Sequence, residues 1–599
     1  MTNDYIGKRP VLAITLSILW LVLIGGVAFF WHLGSIGLID ETEPLFAEAS
    51  RQMFVTGDWI TPFFNGETRF DKPALIYWCQ AIAYWIFGVN EWAVRLPSAL
   101  AAMGLISLAF YTIQWHFARQ DNLEQKTRPT RRWLTAALGA AVMALSPQMI
   151  VWGRTGVSDM LLVGCMDSAL LCFFLGYAQP SQSEVKARWY LAFYILIAGA
   201  ILTKGPIGIV LPALIIGIFL LYLGNAKTVL REMRLLTGLL ITLCLSVPWY
   251  VLVIWRNGEN YINSFFGYHN LERFTSVVNR HSAPWYFYFF VVLLGFAPYS
   301  VYLPLAMARL KFWQRNYWRS QERSSQLGLF AFLWFVGVFG FFTIAVTKLP
   351  SYVLPLMPAA AILVALLWGD LLKGEKRRRR RAGEAGEAGG ENVSSSVDRP
   401  LFWTGWVNVV FLSALAVAMF YVPQLIKDPA APNFSQLFQQ SGLSVLGGVI
   451  WLLCAVLLAA ILVRRRYQPV LMVNVLGFAA FLVFVLTPCL FLIDQERQLP
   501  LRELSAIAVQ AQKPSEKLVM VGFKKPTVVF YTHRNVTYVK MSSAAEEYIQ
   551  DQAAKKAQPP SVLVLAQPKK FPEMGLNSTD YENLGTSGAY QLIRVPFKK

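Results

Sequence analysis

Residues 11–53 read VLAITLSILWLVLIGGVAFFWHLGSIGLIDETEPLFAEASRQM, and two changes of character inside this stretch decide the kind of molecule. From Val11 to Trp31 there is no charged side chain. That is enough for a helix of about 20 residues to cross a hydrocarbon layer roughly 30 Å thick, where only a helix satisfies its own backbone. The run is too long for the apolar part of a typical leader and no small-residue cleavage site follows, so it is expected to be retained. Beyond Ser35 the composition reverses, and Asp40, Glu41, Glu43 and Glu48 follow closely. Leu45, Phe46, Ala49 and Met53 fall on one side of a helix over 44–55, which is expected to lie in the membrane interface.

The rest of the chain repeats the first change. Apolar residues make up 55%, aromatic residues 14% and charged residues only 15%, well below the quarter or so that soluble domains carry. Apolar stretches recur near 92–115, 132–151, 159–178, 188–203, 206–223, 235–255, 285–308, 327–346, 352–372, 401–422, 443–463 and 468–493, thirteen in all with the first. The fifth and sixth are parted only by Thr203-Lys204-Gly205-Pro206. Every second connection is basic: Arg128, Arg131 and Arg132; Lys186 and Arg188; Lys227, Arg231 and Arg234; Lys311 to Arg323; Lys376 to Arg381; Arg464 to Arg466. By the positive-inside rule these connections and the N-terminus are cytoplasmic and the C-terminus is outside. The net charge of +19 is accounted for by topology and calls for no nucleic-acid partner. A disordered cytoplasmic linker is expected over 373–400. The six cysteines form no CxxC pair and support neither a disulfide framework nor a thiolate metal site.

The domains expected are a membrane unit over 1–495, with an outer loop at 33–91, and a small α/β unit over 496–599. In the latter, strands are expected at 517–521, 527–531, 536–540 and 561–566, with a helix at 543–557. His533 there is expected to be a surface histidine.

Four outer-side segments carry groups that are costly to hold beside a bilayer. Asp40 and Glu41 precede the 44–55 helix, where an acid either caps an N-terminus or, partly desolvated, serves as a general base. In the same loop Asp71-Lys72-Pro73 offers a surface ion pair or a phosphate ligand. Asp159, in Arg154–Met160, enters an apolar stretch, which marks an acid as functional. His269 and Arg273 share a helix face four residues apart. Isolated histidines are commonly structural, but His269 and His281 with acids nearby admit a metal. Lys348 and Tyr352 suit interfacial anchoring. With Lys72, Lys204 and Arg273 on the same side they equally make a clamp for a charged leaving group.

Asp40-Glu41-Thr42, Gly57-Asp58-Trp59, Phe70-Asp71-Lys72-Pro73, His269–Phe274, His281–Tyr286 and Lys348–Pro355 together resemble bacterial members of the protein O-mannosyltransferase superfamily, in particular the lipid A aminoarabinose transferases. The resemblance covers most of the membrane region. It implies a GT-C fold with thirteen spans and a periplasmic C-terminal domain. It also implies a polyprenyl-phosphate sugar, such as an undecaprenyl-phosphate sugar, as donor. By position, Asp40 and Asp159 resemble the family's catalytic acids. Lys72, Arg273, Lys348 and Tyr352 resemble donor-phosphate ligands, and Asp71 and His269 fall where relatives hold a divalent metal. The chain departs from the family in a couple of extra residues between Asp40 and Lys72 and in Asp71, where a glutamate is usual. The expectation is an inverting glycosyltransferase of a bacterial inner membrane acting on a lipid, glycan or protein hydroxyl. A transporter or flippase of lipid-linked anions is the alternative, and an assembly scaffold a more distant one.

Overall fold

Uninterrupted apolar composition becomes helix wherever the chain has no water to bond. A computed structural model describes residues 10–124, 129–180, 183–272, 283–384, 398–426, 428–554 and 561–597, without the side chains of 121–124, 269–272, 373–384 and 398. Among these, ten helices are long and apolar enough to cross a membrane. Two bent pairs qualify as single spans: Pro129–Ala144 with Pro147–Gly153, bent by 64°, and Phe287–Gly295 with Tyr299–Ala308, bent by 110°. Pro147 and Pro298 sit at the bends, where a proline removes a helical amide bond. The sixth apolar stretch is the shorter helix Ile207–Leu223, of 17 residues. It is divided from Glu184–Lys204 by Gly205, whose φ of +78° makes the turn. The two helices then pack so closely that a Cβ on Gly208 would meet the Ala200 carbonyl carbon at 2.5 Å. Each apolar stretch of the sequence therefore carries a helix or a bent pair.

Val11, Ile18, Leu236, Leu240 and Trp255 point outward without protein cover, a face that only a bilayer shields. The chain is a multi-pass membrane protein. Ser158–Tyr177 and Pro350–Leu372 run through its middle, buried almost throughout. The helix of the Pro350–Leu372 span continues as Met357–Glu384, so regular structure extends into the expected linker, and 385–397 lie outside the described residues.

Successive spans alternate in direction, which brings Phe30, Glu91, Ser158, Lys204, Pro350 and Arg497 to one end of the bundle. There the helix Glu43–Thr56 forms, with Gly57 closing it in the left-handed region (φ +73°). Its apolar face is covered by protein rather than left open. Phe46, Ala49 and Met53 are buried against Ile76, Tyr77, Val157 and Leu161, while Ala47 meets Phe530 and Leu45 packs into the core of the C-terminal unit. A hairpin of β1 (Phe63–Phe64) and β2 (Glu67–Thr68) follows.

A buried ion pair fixes this loop to the bundle. Arg95 Nε and Nη2 each donate to Glu43 at 2.8 Å. The other Arg95 protons go to the carbonyls of Leu33 (2.9 Å), Ile36 (2.9 Å) and Gly37 (2.8 Å). Glu43 also accepts the amides of Ile39 and Gly156, each at 2.7 Å. All five guanidinium protons are used, so the pair keeps its charges without orphaned polar groups.

The C-terminal unit is built on a sheet ordered β4-β3-β5-β7-β6. Its strands are β3 (Leu518–Val521), β4 (Val536–Val539), β5 (Ser561–Ala566), β6 (Glu582–Ser587) and β7 (Tyr590–Pro596). β4, β3 and β5 run parallel, and β7 and β6 antiparallel. Alternation sends Leu518, Met520 and Leu563 to one face, against Leu504 and Ala508. Val519, Val521 and Val564 go to the other, against Phe571 and Met574. The expected strand at 527–531 is instead the helix Pro526–Thr532. Pro526 suits a first helical turn. A helix also lets Val528 and Val529 reach the sheet core while Phe530 reaches the first loop, so tertiary context overrides β-branched preference. β6 and β7 were not anticipated. His533 is exposed, as expected.

Replacing Arg95 with Leu should leave the Glu43 carboxylate buried without its counter-ion, at a cost of about 3–5 kcal/mol. Thermal unfolding in detergent should show a markedly lower midpoint; an unchanged midpoint would remove the pair from its structural role.

Candidate active site

The polar groups at this end of the bundle gather from five segments. Asp159 lies in the first turn of Ser158–Tyr177, and Lys204 ends Glu184–Lys204. Their side chains meet at 2.8 Å. The Ser351 hydroxyl, from the start of Pro350–Leu372, also bonds to Asp159, and the Lys72 ammonium adds its field. Two ammonium groups thus face one buried carboxylate, each placed by the end of a rigid helix or by the short loop before one.

Lys72 donates to its neighbour's carbonyl, Asp71 O, at 2.7 Å, and stands 3.7 Å from the Asp71 carboxylate. Asp71 itself takes Arg69 at 2.6 Å and the Tyr77 hydroxyl at 3.1 Å. Tyr77 stacks on Phe46 at 5.6 Å, and the Arg69 guanidinium lies over the same Phe46 ring at 5.2 Å. The helix that begins just after Asp40 is thereby locked to the loop that carries Lys72. Lys348, three residues before Ser351, is buried and donates to the Ala345 carbonyl at 2.5 Å. Tyr352 packs against Phe342 at 5.1 Å. Arg273 lies outside the described residues, as does the side chain of His269.

Asp40 is held from the C-terminal unit. Its Oδ1 accepts the Thr527 amide at 3.2 Å and the Thr527 hydroxyl, while its buried Oδ2 has no partner among the described residues. Desolvation raises its pKa above the ordinary value, against the opposing pull of Thr527 and Lys525. Around it the first loop is bolted to the last span and to the C-terminal unit. Gly37 N meets Asp494 at 2.7 Å, and Tyr531 joins Leu38 N (3.2 Å) to Glu91 (2.7 Å). Asn65 pairs with both backbone groups of Val536, at 2.9 and 2.7 Å.

Of the pair suggested for a metal, Asp71 is the one whose side chain is described. Both Asp71 oxygens are already hydrogen-bonded, with two cationic side chains beside them, and no group of three His, Cys, Asp or Glu residues is poised around an ion among the described residues. Sequence reasoning passed over Arg95 and Glu43, though an arginine just inside an apolar span is itself a warning. It also passed over Thr527, which has no local motif, and Asp167, buried in mid-span with both oxygens unpartnered among the described residues.

Residues 71–255 match a family model described as dolichyl-phosphate-mannose-protein mannosyltransferase. Residues 511–599 match one described as the C-terminal domain of cyanobacterial RgtA-type glycosyltransferases. An undecaprenyl phosphate-alpha-4-amino-4-deoxy-L-arabinose arabinosyl transferase of Aeromonas salmonicida (strain A449) is 33% identical over 343 residues, 57% of this chain and 58% of that one. An uncharacterized protein of Aquifex aeolicus (strain VF5) is 30% identical over 352 residues, 58% of this chain and 72% of that one. The chain spans little more than half the length of the curated arabinosyl transferases it matches. In three dimensions it superposes on the crystal structure of ArnT from Cupriavidus metallidurans bound to undecaprenyl phosphate, with a TM-score of 0.73, 97% of each chain covered and 22% identity. The fold is therefore shared across both the membrane and the C-terminal units.

An acid whose folded pKa is raised contributes stability below its unfolded value and loses it as pH rises through the folded one. Wild type therefore carries a penalty at Asp40 at pH 7, and Asp40→Asn should melt no lower than wild type there. The advantage should vanish as pH falls toward 3.8, the ordinary value. Melting curves at pH 7 and pH 4 check this, and a variant less stable at pH 7 would contradict it.

Proposed function

The chain belongs to the protein O-mannosyltransferase superfamily of GT-C fold, and from that premise we propose that it is a glycosyltransferase. It moves a sugar from a polyprenyl-phosphate donor, such as an undecaprenyl-phosphate sugar, to a lipid, glycan or protein hydroxyl. The observation that carries this reading is the convergence of Lys72, Lys204 and Ser351 on Asp159 at a membrane boundary. A lipid-borne phosphate arrives at that depth. The alternation of basic connections favours a bacterial inner membrane, with this end and the C-terminal unit periplasmic.

In the proposed reaction the acceptor oxygen attacks the anomeric carbon opposite the lipid phosphate. The bond from that carbon to the phosphate oxygen breaks, and the electron pair leaves with polyprenyl phosphate, inverting the centre. The acceptor's proton passes to Asp40. Thr527 fixes Oδ1 and leaves Oδ2 to receive the proton, and the raised pKa brings the carboxylate closer to the basicity a proton acceptor needs. Lys72 and Lys204, with Arg273, Lys348 and Tyr352 assigned by position in the family motif, offset charge growing on the phosphate. Asp159 aims the Lys204 ammonium. No step is assigned to a metal.

Purified protein with radiolabelled polyprenyl-phosphate sugar and envelope extract should release free polyprenyl phosphate as label passes to the acceptor. Label that crosses vesicles still attached to its lipid would replace transfer with transport. Asp40→Asn should lower transfer by about 10²–10⁴-fold with donor affinity retained, and near-normal transfer would remove its role. Lys72→Ala should weaken donor binding about 10–100-fold, the scale of a lost charge-assisted hydrogen bond; unchanged donor affinity would take it out of the phosphate site.

A further inference from the structure

Helix Glu184–Lys204 has its last residue in the candidate active site. Its 21 residues rise about 30 Å, one hydrocarbon thickness, so its first turns lie at the opposite membrane boundary. There the helix borders a cavity of about 630 Å³, closed on its other side by the segment from Arg231 to Ile241. The two helices approach closely, since a Cβ on Gly238 would fall 1.9 Å from the Tyr194 ring. Below that contact the chain opens into the helix Leu235–Asn257 through Arg234, a non-glycine residue at φ +54°.

The lining is divided by chemistry. Leu191, Tyr194 and Ile241 make an apolar wall. Both acids of the lining are already engaged: Glu232 takes Lys186 and Arg323, each at 2.7 Å, and exposed Glu184 stands 3.7 Å from Arg188. Arg231 and Arg234 line the cavity without an ion pair among the described residues. Tyr190, 4% exposed, also lines it, and its buried hydroxyl has no partner among the described residues. A buried hydroxyl is ordinarily satisfied. Two uncommitted guanidinium groups, an unmatched hydroxyl and an apolar wall at a membrane boundary are complementary to one ligand class.

We propose that this cavity binds the headgroup phosphate of an acidic phospholipid from the leaflet opposite the candidate active site. The phosphate lies between Arg231 and Arg234 and accepts a hydrogen bond from the Tyr190 hydroxyl, and the lipid's acyl chains run along Leu191 and Ile241. Positive-inside charge alone would account for the arginines, but not for a cavity bordered by a tyrosine whose buried hydroxyl is unmatched among the described residues.

Native mass spectrometry of the full chain, released from micelles containing equal dioleoyl phosphatidylglycerol and dioleoyl phosphatidylcholine, tests the site. Wild type should retain phosphatidylglycerol preferentially. The double variant Arg231→Gln/Arg234→Gln should reduce that retention tenfold or more, on the order of fivefold per basic residue near a membrane surface. Tyr190→Phe, which keeps the ring packing, should reduce it about fivefold, the scale of one hydrogen bond. A control pair outside the lining, Arg188→Gln/Lys227→Gln, should retain the lipid. Equal retention of the two lipids, equal loss in the control, or release of the lipid by inorganic phosphate would each overturn the proposal. Size-exclusion elution reports whether each variant folds, and Tyr190→Phe decides the matter if the double variant does not.

Discussion

The buried pair of Arg95 and Glu43 is the constraint on which the functional end of this molecule depends. Five guanidinium protons and four carboxylate contacts join the exit of the first span, the first-loop helix, the second span and the turn before Ser158. Burying such charges is costly, and only this saturation of partners makes it tolerable. Because the partners are mostly backbone groups, the pair fixes the course of the chain on either side of Asp40 rather than one side-chain position. Asp159 begins three residues beyond Gly156, so the same pair also sets where that acid enters the bundle.

A second constraint comes from the C-terminal unit. Its helix Pro526–Thr532 and strand β4 rest on the first loop through Thr527, Tyr531 and Val536, removing Asp40 from water. Burial raises the pKa of Asp40, while Thr527 and Lys525 of the docked unit pull it back down. The active end has two halves, a bundle half with Lys72, Lys204 and Asp159 and a docked half that holds Asp40. The stacked Phe46 and Tyr77 are the mechanical link between them.

At the far boundary the same helix that delivers Lys204 frames a cavity with Arg231, Arg234 and Tyr190. One rigid element therefore connects the site proposed for a lipid phosphate in one leaflet with the cavity proposed for another in the opposite leaflet. The separation follows from helix rise and bilayer thickness alone.

The sequence by itself determined the membrane class, the thirteen apolar stretches, and the gathering of Asp40, Lys72, Asp159, Lys204 and Lys348 at one end. These depend on local composition and on alternation of span direction, both one-dimensional properties. It also carried the family motifs, which are local runs of residues. It did not determine that 527–531 is helical, that protein covers the apolar face of the 44–55 helix, or that Asp71 is neutralised by Arg69. Each of those is settled by a neighbour distant in sequence: the sheet core and first loop for Val528 to Phe530, the C-terminal unit for Leu45, and the fold of the loop for Arg69 and Tyr77. Only the tertiary structure decided that Arg95 meets Glu43 and that Thr527 meets Asp40. Partners 52 and 487 residues apart share no period or motif, and burial selects them only once the chain has closed around both.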